Sequence, residues 1–157
     1  MEKTKILFVC LGNICRSPSA EAIMKHLVAE AGLQNRIYID SAGTAGYHEG
    51  ELPDDRMRQH GRRRGYDLVS RSRPVKLDDF YDFDLIIGMD DSNIDALMRK
   101  APDVESQAKI RRMTDFSRQY DHDHIPDPYY GGAGGFELVL DLLEDACRGL
   151  LDKYLPE

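Results

Sequence analysis

The sequence predicts an α/β fold of three layers, a four-stranded parallel sheet flanked by helices. Three observations carry this expectation. Short, uninterrupted apolar runs recur along the chain, as expected of strands buried on both faces. Segments with apolar residues at helical spacing lie between them. Strands and helices alternate, which implies parallel pairing through crossover connections. The 157 residues show no repeat, linker or low-complexity stretch, so residues 1–157 read as a single domain.

The first strand is Lys5-Ile6-Leu7-Phe8-Val9. A tight loop follows, and Ser17 is expected to cap a helix with Pro18 at its first position. Ala20, Ile23, Met24, Leu27 and Ala31 mark that helix's apolar face, and Gly32 its stop. Arg36-Ile37-Tyr38-Ile39-Asp40 is the second strand, running into the small residues Ser41 to Gly46. Pro53 and Asp54 open a helix that extends to about Arg64 and closes at Gly65. Asp84 to Met89 is the third strand, and Ser92 is expected to cap the helix carrying Ile94, Leu97 and Met98. Ala108 to Met113 reads as a weaker edge strand. Tyr120 to Gly135 reads as a long loop, with Gly131, Gly132, Gly134 and Gly135 as its hinge. Phe136, Val139, Leu140, Leu143, Ala146, Cys147, Leu150 and Tyr154 then share one face of a final helix.

Composition narrows the class further. The formal net charge is −7, which argues against general nucleic-acid affinity, because phosphate backbones recruit an excess of Lys and Arg. The N-terminal apolar run is too short for a signal peptide or a membrane span. The chain has three cysteines, two of them in one loop, which does not resemble a secreted disulfide framework. A cytoplasmic protein with reduced thiols, bound to neither membrane nor nucleic acid, is the expectation.

Chemistry concentrates in residues 10 to 17, which read Cys-Leu-Gly-Asn-Ile-Cys-Arg-Ser. Parallel sheets bind ligands beyond the carboxyl ends of their strands, and this loop follows the first strand. A thiol is a strong nucleophile as thiolate, a form favoured by a helix N-terminus and a nearby guanidinium. Backbone N–H groups entering a helix make an anion cradle. Gly12 and Asn13 tolerate the positive φ that such a loop needs. Arg16 offers a planar fork for two phosphoryl oxygens, and Ser17 can donate to the sulfur.

Val9-Cys10-Leu11-Gly12-Asn13-Ile14-Cys15-Arg16-Ser17-Pro18 resembles the Cys-x5-Arg signature of the low-molecular-weight protein tyrosine phosphatases. Asp127-Pro128-Tyr129-Tyr130 matches that family's Asp-Pro-Tyr loop. Met89 to Asn93 and the start of the last helix are also similar, so the likeness covers essentially the whole chain.

The resemblance implies hydrolysis of phosphotyrosine through a phosphocysteine on Cys10, with Arg16 and the N–H groups of residues 11 to 16 holding the phosphoryl oxygens. Asp127 would act as general acid and then general base. No metal or cofactor is implied. Asn13, Ser17 and Ser41 match positions that brace the loop. Ser70 stands where members often have a histidine, with Arg73 matching a nearby family arginine. Tyr47, Tyr129 and Tyr130 are expected to wall a slot for the aromatic ring, with His48 beside it. The implied role of Cys15 is a reversible disulfide with Cys10 against over-oxidation. The implied partner is a phosphotyrosine-containing protein, with a tyrosine kinase among the candidates.

Other readings are weaker. A thiol-relay arsenate reductase needs further cysteines after mid-chain, and residues 78 to 100 contain none. Arginine phosphatases of the same family typically carry Thr where this chain has Ile14. A phosphocarrier must preserve its phosphocysteine, whereas Arg16 with Asp127 favours hydrolysis. A phosphotyrosine-binding module would need neither Cys10 nor Asp127. Asp121-His122-Asp123-His124 reads as a solvated loop, Arg62-Arg63-Arg64 as a solvated helix end, and Cys147 as core packing.

Overall fold

The structure, a computed structural model, describes residues 3–129 and 133–154. Four strands, β1 (Thr4–Cys10), β2 (Ile37–Gly43), β3 (Leu85–Gly88) and β4 (Ile110–Arg112), form one sheet in the order β2-β1-β3-β4, with every pair parallel. The main helices are α1 (Arg16–Glu30), α2 (Asp55–Arg63), α4 (Asp91–Lys100) and α6 (Ala133–Tyr154). Short helices α3 (Asp79–Asp82) and α5 (Val104–Gln107) and a 3-10 turn (Met113–Phe116) complete the described elements.

The continuous apolar character of β1 has a direct cause. Ile6, Phe8 and Cys10 belong to a core shared with α1 and α6, whereas Leu7 and Val9 face a second core with Phe80, Phe83 and Leu97. Successive strand residues point to opposite faces, so a strand covered on both sides has no polar phase. This makes the three layers. The chain leaves β1 towards β2 on one side and later reaches β3 on the other. The carboxyl end of β1 is therefore the topological switch point, where crevices of such sheets form.

Several expected boundaries move. β2 runs through Ser41 and Ala42 to Gly43, pairing Val9 with Ala42 and Cys10 with Gly43. The first helix begins at Arg16, with Cys15 rather than Ser17 in the cap position and no side-chain cap bond, so Pro18 is its third residue rather than its first. Ser17 cannot cap because its hydroxyl is committed to Cys10 and Asn13. The cap of α4 is Asp90, not Ser92: its carboxylate accepts from Asn93 N–H, and Asn93 reciprocates in a capping box. Asp54, expected to open α2 with Pro53, is its cap, accepting from the N–H groups of Arg56 and Met57.

The long loop ends earlier than expected, because Gly134 and Gly135 already lie in α6. They do so despite their poor helix propensity. At its other end, buried Asp145 accepts from the N–H groups of Arg118, Gln119 and Tyr120, tying the segment to α6. Arg64 is not a solvated helix end. It pairs with Glu137, Asp141 and Glu144 and so joins α2 to α6. Cys147 is fully buried in the α1–α6 core. No described helix is long and apolar enough to cross a membrane.

Candidate active site

The loop between β1 and α1 closes around a cavity of about 100 Å³ at the switch point. Its shape follows from where its carbonyls go. Cys10 O accepts from Thr44 N, Leu11 O from Ala45 N, and Ile14 O from Asp54 N. Gly12 O accepts from Ser72 Oγ, and Cys15 O from Ser19 Oγ. In a planar trans peptide the following N–H points opposite the carbonyl. With these carbonyls taken by outside donors, the N–H groups of Leu11, Gly12, Asn13, Cys15 and Arg16 are turned to the concave side. That is an anion nest.

Only Asn13 uses the expected left-handed conformation, with φ of 57°. Gly12 does not. It is small for another reason: a Cβ there would come within 3.1 Å of the His48 ring.

A polar chain braces the loop from below. Cys10 Sγ lies 3.0 Å from Ser17 Oγ and accepts weakly from Ser17 N–H at 3.4 Å. Asn13 Nδ2 donates to Ser17 Oγ at 2.8 Å and to Ser41 Oγ at 3.0 Å. Ser41 Oγ in turn donates to Glu21 Oε1 at 2.5 Å. Glu21 is buried in α1 and also binds Lys25. Its helical position inside an apolar face concealed it from sequence reasoning; a charged residue on that face was the available signal. Beside Ser70, which stands where the family often has a histidine, two neighbours brace the loop. Ser72 binds Gly12 O, and Arg73 N–H donates to Asn13 Oδ1 at 3.0 Å. Arg73 is itself held by Asp40 and buried Asp79.

Arg16 is almost completely buried. Its Nη1 donates to Asp90 Oδ2 at 2.6 Å and to Ile125 O at 3.0 Å. Burial opposes its charge, but the Cys10 sulfur and Asp90 outweigh burial and hold the guanidinium above its ordinary range. Ile125 N–H donates to Met89 O at the end of β3, so the distant Asp127 segment is hooked onto the sheet. Asp127 Oδ2 stands 3.6 Å from Arg16 Nη2, and its Oδ1 accepts from Tyr129 N–H at 3.0 Å. Cys10, Arg16 and Asp127 thus line one cavity although Asp127 is far away in sequence.

Leu11, Ile14, Tyr47, His48 and Tyr129 make the cavity's remaining wall. Tyr47 is 77% exposed and Tyr129 half-buried, whereas Ile14 is buried. His48 binds Glu51 through Nδ1 at 2.9 Å. Arg56, which the sequence did not single out, lies over the rings of Tyr129 and Phe136 and donates to Tyr129 O at 3.0 Å. Tyr130, Gly131 and Gly132 lie outside the described residues. Cys15 is buried beside Cys10 in the loop, and burial, reinforced by Asp54, Cys10 and Asp127, pushes its thiol well above the ordinary range. His124 pairs with Asp123 in the open, and no group of metal ligands occurs among the described residues.

A parallel sheet covered on both faces, with a Cys-x5-Arg loop at its switch point, defines a phosphatase-type α/β enzyme. The model of the low molecular weight phosphotyrosine protein phosphatases matches residues 5–157, and the chain belongs to that family of hydrolases. A putative low molecular weight protein-tyrosine-phosphatase from Synechocystis is 48% identical, with 94% of each chain covered. The crystal structure of a protein tyrosine phosphatase from Entamoeba histolytica is 49% identical, with a TM-score of 0.94 and 96% of each chain covered. A Drosophila arginine phosphatase is 36% identical with a TM-score of 0.91, covering 98% of this chain and 99% of its own.

Proposed function

We propose that the chain, acting as one catalytic domain, hydrolyses protein phosphotyrosine through a phosphocysteine on Cys10. The observation that carries this reading is the convergence of the Cys10 sulfur, the anchored Arg16 guanidinium and the Asp127 carboxylate on one N–H-lined cavity. Cys10 Sγ attacks phosphorus while the phosphorus–phenolate bond breaks. Arg16 and the loop N–H groups hold the equatorial oxygens, where positioning and charge supply most of the catalysis. Asp127 must carry a proton at this stage and gives it to the phenolate. Its carboxylate then takes a proton from the water that attacks phosphocysteine, releasing phosphate and the free sulfur.

Leu11, Gly12, Asn13, Ile14 and Cys15 line the oxyanion side, Ser17 and Ser41 hold it rigid, and Tyr47 and Tyr129 flank the ring. The apolar Ile14, in place of threonine, supports phosphotyrosine over phosphoarginine as substrate. No residue of this scheme calls for a metal. Three unpaired cysteines support a cytoplasmic setting, and the partner is a phosphotyrosine protein, with a tyrosine kinase as one candidate. Cys15 guards the nucleophile: peroxide converts Cys10 to a sulfenic acid, and the Cys15 sulfur displaces water to form a disulfide that thiols reopen.

Turnover of an aryl phosphate by the wild type, Cys10→Ser and Asp127→Ala tests the scheme. The serine variant is expected to be inactive and the alanine variant to lose kcat by about 10²-fold or more. Undiminished activity of Cys10→Ser would overturn it. Phosphotyrosine, phosphoarginine and phosphoserine peptides compared side by side test the substrate class. Cys15→Ser should lose activity irreversibly at peroxide doses from which the wild type recovers on adding thiol.

A further inference from the structure

Two grooves adjoin the cavity, and their charges differ. The groove shared through Ile14, His48 and Tyr129 contains Glu51, Asp54 and Asp55, paired with His48, Arg56 and Arg58 respectively, together with Arg71, which donates to Gly50 O, so carboxylates and cations are mixed there. The groove on the other side, shared through Leu11, contains Arg99 and Lys100 and no carboxylate. Neither cation makes an ion pair with any described residue. In a chain of net charge −7 this is an island of uncompensated positive charge at the rim of the site.

Resting on the phosphatase reading above, we infer that this groove binds an acidic side chain of the substrate, two to four residues from the phosphotyrosine. Ser92, Ala96 and the Arg99–Lys100 pair recur at helical spacing and so share one face of α4. Thr44 and exposed Leu11 form the opposite wall. The helix is aligned by its own cap, because Asp90 binds Arg16 at 2.6 Å. Arg99 lies nine residues beyond, about 13 Å at 1.5 Å per residue. An extended peptide covers that span in about four residues at roughly 3.3 Å each, and a long arginine side chain shortens the requirement. Small, uncharged Ser92 and Ala96 leave space between the phosphoryl site and the cations for the peptide to cross. Exposed ion pairs are individually weak, so the groove selects among phosphotyrosine sites and contributes nothing to the chemical step.

The test compares phosphotyrosine peptides with Glu two to four residues away, on the N-terminal or the C-terminal side, with matched Gln peptides at low salt. Each kcat/KM is divided by that of a small aryl phosphate, which cannot reach the groove and reports folding and chemistry for each protein. The expected result is a Glu preference of about two- to fivefold on one side, reduced by salt, abolished in Arg99→Ala/Lys100→Ala and inverted in Arg99→Glu/Lys100→Glu. Absence of a Glu preference in the wild type would overturn the inference. So would a preference that survives the double alanine substitution, or one lost in Arg58→Ala/Arg71→Ala instead. Failure of the wild type to turn over the aryl phosphate would overturn the underlying phosphatase reading, a separately visible result.

Discussion

Arg16 Nη1 donates to Asp90 Oδ2 at 2.6 Å, and this bond ties the loop after β1 to the cap of the helix after β3. The same guanidinium binds Ile125 O and stands 3.6 Å from Asp127. Three segments distant in sequence therefore meet at one buried cation. Charge-assisted bonds of this kind fix geometry as well as contribute energy.

Asp90→Asn separates the two roles of that carboxylate. Asparagine caps helices as well as aspartate does, so α4 should remain intact and Tm nearly unchanged. The uncharged amide loosens Arg16, and small misplacements near a reacting centre cost about 10²-fold in rate. Aryl phosphate kinetics beside a melting curve check this. Wild-type kcat/KM in the variant would show that Asp90 matters only as a cap.

The chain from Glu21 through Ser41, Asn13 and Ser17 to Cys10 should show graded effects. Ser17→Ala removes the hydroxyl beside the sulfur and is expected to lower kcat more than Ser41→Ala. Each lost hydrogen bond should cost about 1 kcal/mol of stability. Denaturant melts and kcat for both variants give the comparison, and a larger kcat loss in Ser41→Ala would contradict the order.

Arg56→Ala should raise KM for a phosphotyrosine peptide by several-fold, because the loop carrying Tyr129 loses both a bond to its carbonyl and a cation over its ring, worth about 0.5–1 kcal/mol at an exposed site. Arg56→Lys keeps the charge without the planar fork and should recover only part of this. An unchanged KM in both variants would leave Arg56 with a purely structural part.

Gly149→Ala addresses stability alone. A Cβ at this position in α6 would lie 1.9 Å from Phe116 O, and backbone cannot give way cheaply. Overpacking should destabilise by about 3 kcal/mol, lowering Tm by about 6–12 °C in a chain of this size, while kcat per folded molecule holds. A Tm within 2 °C of wild type, roughly the effect of under 1 kcal/mol, would contradict this packing.

Acid should loosen the α2–α6 contact. Bonds from Arg64, then His60, hold the Glu137 carboxyl below its ordinary 4.5. A depressed folded-state pKa contributes stability above the unfolded value, lost as pH falls through the folded one. Melting curves from about pH 6 to pH 3 should therefore decline less steeply in Glu137→Gln than in the wild type. Identical slopes would show that Glu137 does not take up protons in unfolding.

Much of the sheet was legible because local rules decide it. Buried strands leave uninterrupted apolar runs, and a Cys-x5-Arg loop occupies contiguous residues. Errors fell where two local roles competed for one side chain. Ser17 and Ser92 are ordinary cap residues, yet the sulfur took the first and Asp90 pre-empted the second. Ser70 stands where the family often has a histidine, and the chain's path brings Ser72 and the Arg73 N–H to the loop. Arg64 looked like part of a solvated run because its three carboxylate partners are on another helix.

By itself the sequence determined the layered α/β class, the position of the thiol at a strand end and the arginine six residues on. These depend on spacing along a short stretch of backbone. Tertiary structure alone decided that Asp127 meets Arg16, that Glu21 supports Ser41, and that Arg99 and Lys100, with no ion pair among the described residues, stand beside the cavity. Contacts between segments scores of residues apart depend on how helices seat against the sheet, and no local pattern encodes that distance.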